Sequence, residues 1–162
     1  MKNSKFTSIN TQKVSLSQPM SKMKFITILL SLLLFNGLNN KSLAQSPTIE
    51  WQKCLGGTDW DEAYSIQQTS DGGFIMAGET RSNDGNVSGN HGAADYWVVK
   101  LNSSGDIEWQ KCLGGTSEDI ANSIQQTNDG GFIVVGYTNS NDGDVSGIHG
   151  DYYDFWVVKL NK

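Results

Sequence analysis

The sequence predicts an all-β chain: eight short strands forming two four-stranded antiparallel sheets stacked face to face. Three observations predict it. A 58-residue unit is written twice, with 33 identities in the 44 aligned positions from Ile49–Gly92 to Ile107–Gly150. After the leader, no segment shows the 3.6-residue apolar spacing of a surface helix. The third and fourth strands of each unit carry apolar residues on both faces, the mark of a sheet covered on both sides.

Each unit supplies its strands in the same order. The first is IEWQKCL, over Ile49–Leu55 and again over Ile107–Leu113, closed by a Gly-Gly pair. The second is SIQQT, at Ser65–Thr69 and Ser123–Thr127, followed by Asp71-Gly72-Gly73 or Asp129-Gly130-Gly131. Glycine there permits the positive φ of a hairpin turn. The third is FIMAGET (Phe74–Thr80) or FIVVGYT (Phe132–Thr138). The fourth is YWVVKLN or FWVVKLN, joined to the following IEWQKCL by Ser103-Ser104-Gly105-Asp106 in the first repeat. In Trp97-Val98-Val99-Lys100-Leu101, positions 97, 99 and 101 face one way and Val98 the other. Such sheets, four strands each and stacked about an axis, are propeller blades. Gln67 and Gln68 suit the inner strand of a blade. The sheet boundary is offset from the repeat boundary. The chain is expected to give the last strand of one blade, a whole blade, and three strands of another.

The composition divides at residue 44. Residues 1–44 hold six Lys and no acid, and Phe25–Phe35 is an eleven-residue apolar run preceded by Lys22 and Lys24. A membrane-spanning helix needs about 20 such residues, so the run is expected to be the centre of a secretory signal peptide, cleaved after Ala44. Met20 or Met23 is an alternative start. The mature part, residues 45–162, would carry repeat 1 (49–106) and repeat 2 (107–162) in one domain. Its 17 Asp and Glu stand against 6 Lys and Arg, a formal charge of −11 where the whole chain has −5. That balance excludes nucleic acid as a partner, because no basic surplus exists to neutralise phosphates. Export to the bacterial surface, the periplasm or the medium is the expected localisation.

The pattern AxSIQQTxDGGFIxxGxTxSNDGxVSGxHG, then DxWVVKLNSSGDIEWQKCLGG, resembles the SBBP-type β-propeller repeat of bacterial secreted and surface proteins. The resemblance covers Ile49 to Lys162. It implies a scaffold, and it implies an association with type IX secretion, where a C-terminal sorting domain often follows. Two departures stand out. Propellers generally have about 4–8 blades, whereas eight strands make two, and no sorting domain follows the second repeat in this sequence. A fragment of a larger propeller, a half-ring that self-associates through open blade faces, and a small two-sheet stack all remain open.

Residues with chemistry are few. His91 and His149 recur at one loop position and are expected to form loop hydrogen bonds rather than serve as a base. Cys54 and Cys112 are expected to be two buried thiols. Equivalent sites on successive sheets lie about 10 Å apart, too far for a disulfide, whose Cα atoms lie under about 7 Å. The loops 82–89 and 140–147 are rich in oxygen donors. Asp84, Asn86 and Asp95, with Asp142, Asp144 and Asp154, could hold Ca²⁺, which takes about 6–8 oxygens. Asp, Asn and Gly are equally what turns require. Thr69–Gly73 partly resembles the Asp-box hairpin of sialidase-like propellers, where the motif is structural.

Where the repeats differ, Trp60 has no aromatic counterpart, and Asp59, Asp61, Glu62, Tyr64 and Arg81 lie near it. Trp60 could stack on a sugar ring or cover the open end of the stack. The expected function is non-enzymatic: a scaffold, or a protein- or glycan-binding unit at the cell surface. The alternatives are a calcium- or glycan-binding unit that closes a ring by oligomerising, a fragment without activity of its own, and, least supported, a sialidase-like hydrolase. In the last case adjacent carboxylates such as Asp61 and Glu62 diverge rather than flank a bond across about 5–9 Å.

Overall fold

A computed structural model describes residues 45–162, and the leader expected over residues 1–44 lies outside them. Among the described residues every regular element is a strand, and no helix is long and apolar enough to cross a membrane. The strands are β1 (Asp61–Gln68), β2 (Phe74–Thr80), β3 (Asp95–Leu101), β4 (Ile107–Leu113), β5 (Asp119–Gln126), β6 (Phe132–Thr138) and β7 (Asp154–Leu160). They form two antiparallel sheets, β1-β2-β3-β4 and β5-β6-β7, neither closed into a barrel. This is the expected all-β architecture, with a complete four-stranded sheet followed by three strands of the next.

Two details differ from the expectation. The strand read as SIQQT starts four residues earlier, at Asp61 and Asp119, because a bulge carries the pairing past Tyr64 and Asn122. The bulges fall between Ala63 and Ser65 and between Ala121 and Ser123, at equivalent positions. The second difference is Ile49–Leu55, which forms no strand. Its twin in sequence, β4, is a strand because β3 supplies its ladder, with Trp97 opposite Cys112 and Val98 opposite Lys111. Among the described residues no strand lies beside Ile49–Leu55. A strand is made by its neighbour's hydrogen bonds as much as by its own side chains.

Strand alternation sorts the apolar residues into two layers. Ile75, Ala77, Tyr96 and Val98 leave one face of the first sheet and meet Ala121, Ile124, Phe132 and Val134 of the second. Trp156, Val158 and Leu160 close this layer from β7. The opposite face of the first sheet carries Phe74, Met76, Trp97, Val99 and Leu101, covered by Trp51 and Leu55. Trp51 meets Phe74 edge-on with ring centroids 5.7 Å apart, and Trp109 meets Phe132 at 5.9 Å. Each pair is one repeat from the other. Ile49–Leu55 therefore lies against the first sheet as β4 lies against the second.

The β1–β2 turn shows how the shared residues build the frame. Asp71 Oδ1 accepts from the Thr69 hydroxyl and, at 3.0 Å, from the Gly73 amide. Gly72 takes a φ of 84°, open to glycine without strain. Lys100, buried along its stem, reaches Asp71 at 3.0 Å and Glu108 at 2.8 Å. The Thr69 hydroxyl first, then the Gly73 amide and Lys100, hold the Asp71 carboxyl well below the usual range. Asp129 repeats the arrangement with Thr127, Lys159 and Gly131.

Candidate functional site

The aspartates shared by both repeats are engaged in holding loops. Asp61 accepts from the Gly57 amide at 2.8 Å, from the Ser82 hydroxyl at 3.0 Å and from the Thr80 hydroxyl. Asp119 accepts from Gly115 at 2.8 Å, from Ser140 at 2.8 Å and from Thr138. Asp84 takes the amide and hydroxyl of Thr58 at 2.7 and 2.9 Å, and Asp142 takes those of Thr116, both at 2.8 Å. The Thr116 amide leads in holding the Asp142 carboxyl below its ordinary range. Asn86 receives the Gly56 amide at 3.3 Å. Asp144, its counterpart, donates its own amide to the Gly114 carbonyl at 2.9 Å.

The remaining oxygen candidates pair with histidine. Asp95 Oδ2 receives the His91 amide at 3.1 Å and lies 2.6 Å from His91 Nδ1. Asp154 Oδ2 receives the His149 amide at 2.7 Å, with Nδ1 at 3.0 Å. Both histidines are thus loop hydrogen-bond residues, as expected. Among the described residues, no group of three or more His, Cys, Asp or Glu side chains gathers as a metal site requires. Of the six residues considered for Ca²⁺, Asp84 and Asn86 lie in one loop, Asp142 and Asp144 in another, and Asp95 and Asp154 open β3 and β7.

Asp95 is the one unusual member. It is fully buried and its Oδ1 has no hydrogen-bond partner among the described residues. Its neighbour across Gly114 is Asp119: a Cβ placed on Gly114 would lie 2.9 Å from Asp95 Oδ1 and 2.5 Å from Asp119 Oδ2. Burial raises the Asp95 carboxyl above its ordinary range, and the bonds from His91 only partly oppose this. The same hydrogen bond raises the His91 imidazole above its ordinary value. Asp95 and Asp119 belong to different sheets, joined here by the Ala94–Glu118 bridge. Only Gly leaves room for the two carboxylates at this junction.

Side chains that differ between the repeats gather at one end of β1 and β2. Glu62 and Glu79 face each other across the strands. The Tyr64 hydroxyl lies 2.6 Å from Glu62 Oε2 and 2.9 Å from Glu79 Oε1. The Glu62 bond leads in pushing the phenol above its usual range. Glu79 is buried, and its Oε2 has no partner among the described residues. Sequence reading missed Glu79, although its replacement by Tyr137 in the second repeat marked it as a differing position.

The other members of the predicted set separate. Trp60 is 67 % exposed and belongs to neither apolar layer, so the aromatic that covers the open face is Trp51. Asp59 Oδ1 receives the Trp60 amide at 2.8 Å. Asp61 is frame, as above. Arg81 leaves towards the second sheet, pairing with Glu118 at 3.1 Å, whose other oxygen receives the Tyr153 hydroxyl at 2.6 Å. The structure thus brings Glu62, Tyr64 and Glu79 together and draws Arg81 into an inter-sheet tie.

The cysteines are free. Cys112 is buried, and burial pushes its thiol up to about 12. Cys54 is exposed, which corrects the expectation of two buried thiols. The reason is the missing ladder: Cys112 is covered because β4 is built into a sheet, and Ile49–Leu55 is not. No protein-family model matches the chain, and no curated protein matches it.

Proposed function

We propose that the protein is a non-enzymatic, exported propeller-repeat module that works as a scaffold or as a protein- or glycan-binding unit at the cell surface. The observation that supports this reading is the division of labour among its polar residues. The aspartates written into both repeats, Asp61, Asp71, Asp84 and Asp95 with their counterparts, bind their own loops and turns. Of those that differ, Glu62, Tyr64 and Glu79 come together on β1 and β2, with the exposed ring of Tyr64 next to the two carboxylates, and the exposed Trp60 immediately precedes β1 in sequence. Exposed aromatic faces stack on the apolar faces of sugar rings, and carboxylates accept from sugar hydroxyls.

A glycan array probed with the mature chain tests the reading. Binding that Trp60→Ala or Tyr64→Ala abolishes, with unchanged melting temperature, supports it. Binding insensitive to both substitutions removes this patch from consideration. Export is tested separately by N-terminal sequencing of the extracellular protein, which is expected to begin at Gln45.

A further inference from the structure

Both ends of the two-sheet stack are unfinished, and they are unfinished in complementary ways. The outer face of the second sheet presents Val135, Phe155 and Val157, exposed to 37, 90 and 58 %. Their counterparts in the first sheet are Ala77, Tyr96 and Val98, exposed to 1, 0 and 0 %, because the second sheet covers them. At the other end, Ile66 is 61 % exposed, while its counterpart Ile124 is 4 % exposed within the inter-sheet layer. A groove of about 270 Å³ runs there, lined by Trp51, Ile66, Met76 and Trp97 among others. It is the place where a preceding sheet would rest.

The backbone is incomplete in the same sense. Among the described residues the second sheet has three strands, and β7 is paired on one edge only, with β6. In the first sheet the equivalent edge, that of β3, carries β4 with the sequence IEWQKCL. A second IEWQKCL exists, at Ile49–Leu55, with no strand beside it among the described residues. It cannot reach β7 of its own chain, because it lies on one face of the first sheet and the second sheet lies on the other.

We propose that two copies of this chain associate head to tail, with Ile49–Leu55 of one copy adding to the free edge of β7 of the other as its fourth strand. The outer face of the second sheet then rests in the groove of the next copy's first sheet. The interface between the two sheets inside the chain is the template. By the β3–β4 register, Lys53 would stand opposite Val157, and Cys54 opposite Trp156. Gln52 would accept from the Trp156 indole, as Gln110 accepts from Trp97 at 2.9 Å. Ser123 and Gln125 would accept from the amides of residues 66 and 68, as Ser65 and Gln67 accept from those of Ile124 and Gln126 at 3.3 and 2.7 Å. Main-chain ladders of this kind give affinity, and the side-chain layer gives register. Because the two surfaces differ, the contact is heterologous and repeats from copy to copy, giving a ring where the rotation closes and a filament where it does not.

The inference rests on the propeller-repeat reading, and three variants test it by mass measurement in solution. The wild type is expected to be oligomeric. Val157→Glu spoils the outer face and Ile66→Glu spoils the groove, so each alone is expected to be monomeric. Mixed, they are expected to form a one-to-one pair and nothing larger, since each keeps the surface that the other lacks. Phe155→Lys replaces Val157→Glu if that variant loses its β-sheet spectrum. Cys54 gives an independent readout: its thiol is expected to react with a maleimide in the monomeric variants and to be protected in the wild-type assembly. A wild type that stays monomeric at its highest soluble concentration overturns the inference, as do variants that assemble like the wild type or fail to pair when mixed. A folded monomer that still binds glycan through Trp60 would sink the self-assembly and leave the module reading in place.

Discussion

The Tyr96 hydroxyl donates to the main-chain oxygen of Trp156 at 3.0 Å, and the two rings lie with centroids 4.7 Å apart. One residue thereby ties the two sheets by a polar bond and by packing. Phe155, its counterpart in the second sheet, has no hydroxyl and no cover.

Tyr96→Phe is expected to lower stability by about 1 kcal/mol, the usual net worth of one hydrogen bond. Tyr96→Ala is expected to cost roughly 3–5 kcal/mol, since it also leaves a cavity in the layer between the sheets. Urea unfolding with unchanged m-values measures both. If Tyr96→Ala shifted the midpoint no more than Tyr96→Phe, the sheets would not share a core.

Asp119 and Asp61 do the same work in different surroundings. Asp119 is fully buried among its three donors, whereas Asp61 is half-buried at the open end. Asp119→Ala strands the Gly115 amide and two hydroxyls away from water, at about 1–3 kcal/mol for each unpaired group. Asp61→Ala leaves the same groups where water can reach them and is expected to cost clearly less. Equal costs in parallel urea titrations would contradict the burial difference.

How much of this was legible in the sequence follows from what each feature depends on. The repeat and the alternation of Trp97-Val98-Val99 announced strands with two covered faces, because strand patterning is local. The turn at Asp71-Gly72-Gly73 was equally local. Ile49–Leu55 misled, since a segment identical to β4 becomes a strand only beside a β3, and no residue within it records that absence. Cys54 followed the same error. Glu79 was hidden by its place in a run of apolar strand residues, and its meeting with Glu62 and Tyr64 depends on a register shifted by a bulge. Trp60 was legible as different, and only the fold could show that Trp51 does the covering.

The His91–Asp95 pair makes stability depend on pH in a definite direction. The folded protein raises both groups above their ordinary values of 6.5 and 3.8, so folding takes up protons. The contribution of His91 is complete below its unfolded value and disappears as pH rises through its higher folded value. That of Asp95 is complete below about 3.9 and fades above it. Asp144 and Lys111 act on the imidazole, and Asp119 acts on the carboxyl. The urea midpoint is therefore expected to fall as pH rises above the ordinary histidine value of about 6.5, and His91→Gln is expected to flatten that slope. A slope unchanged in His91→Gln would place the linkage on other groups.

Two glycines separate close approach from backbone conformation. A Cβ on Gly136 would lie 1.9 Å from the Ile120 carbonyl oxygen and 2.8 Å from the Tyr96 hydroxyl, at the bulge where β5 crosses β6. Main chain cannot yield as a side-chain tip can, so Gly136→Ala must push the strands apart and disturb the Tyr96 tie. Gly147 has nothing within 4 Å of its would-be Cβ, but its φ is 83°. There an alanine meets no atom and bears only the cost of the left-handed conformation, about 1–2 kcal/mol. Asparagine tolerates that region better, so Gly147→Asn is expected to recover part of what Gly147→Ala loses. No such recovery is expected for Gly136→Asn, whose obstacle is an atom rather than an angle. Thermal unfolding of the four variants distinguishes the two mechanisms, and a Gly136→Ala protein as stable as Gly147→Ala would refute the strand contact.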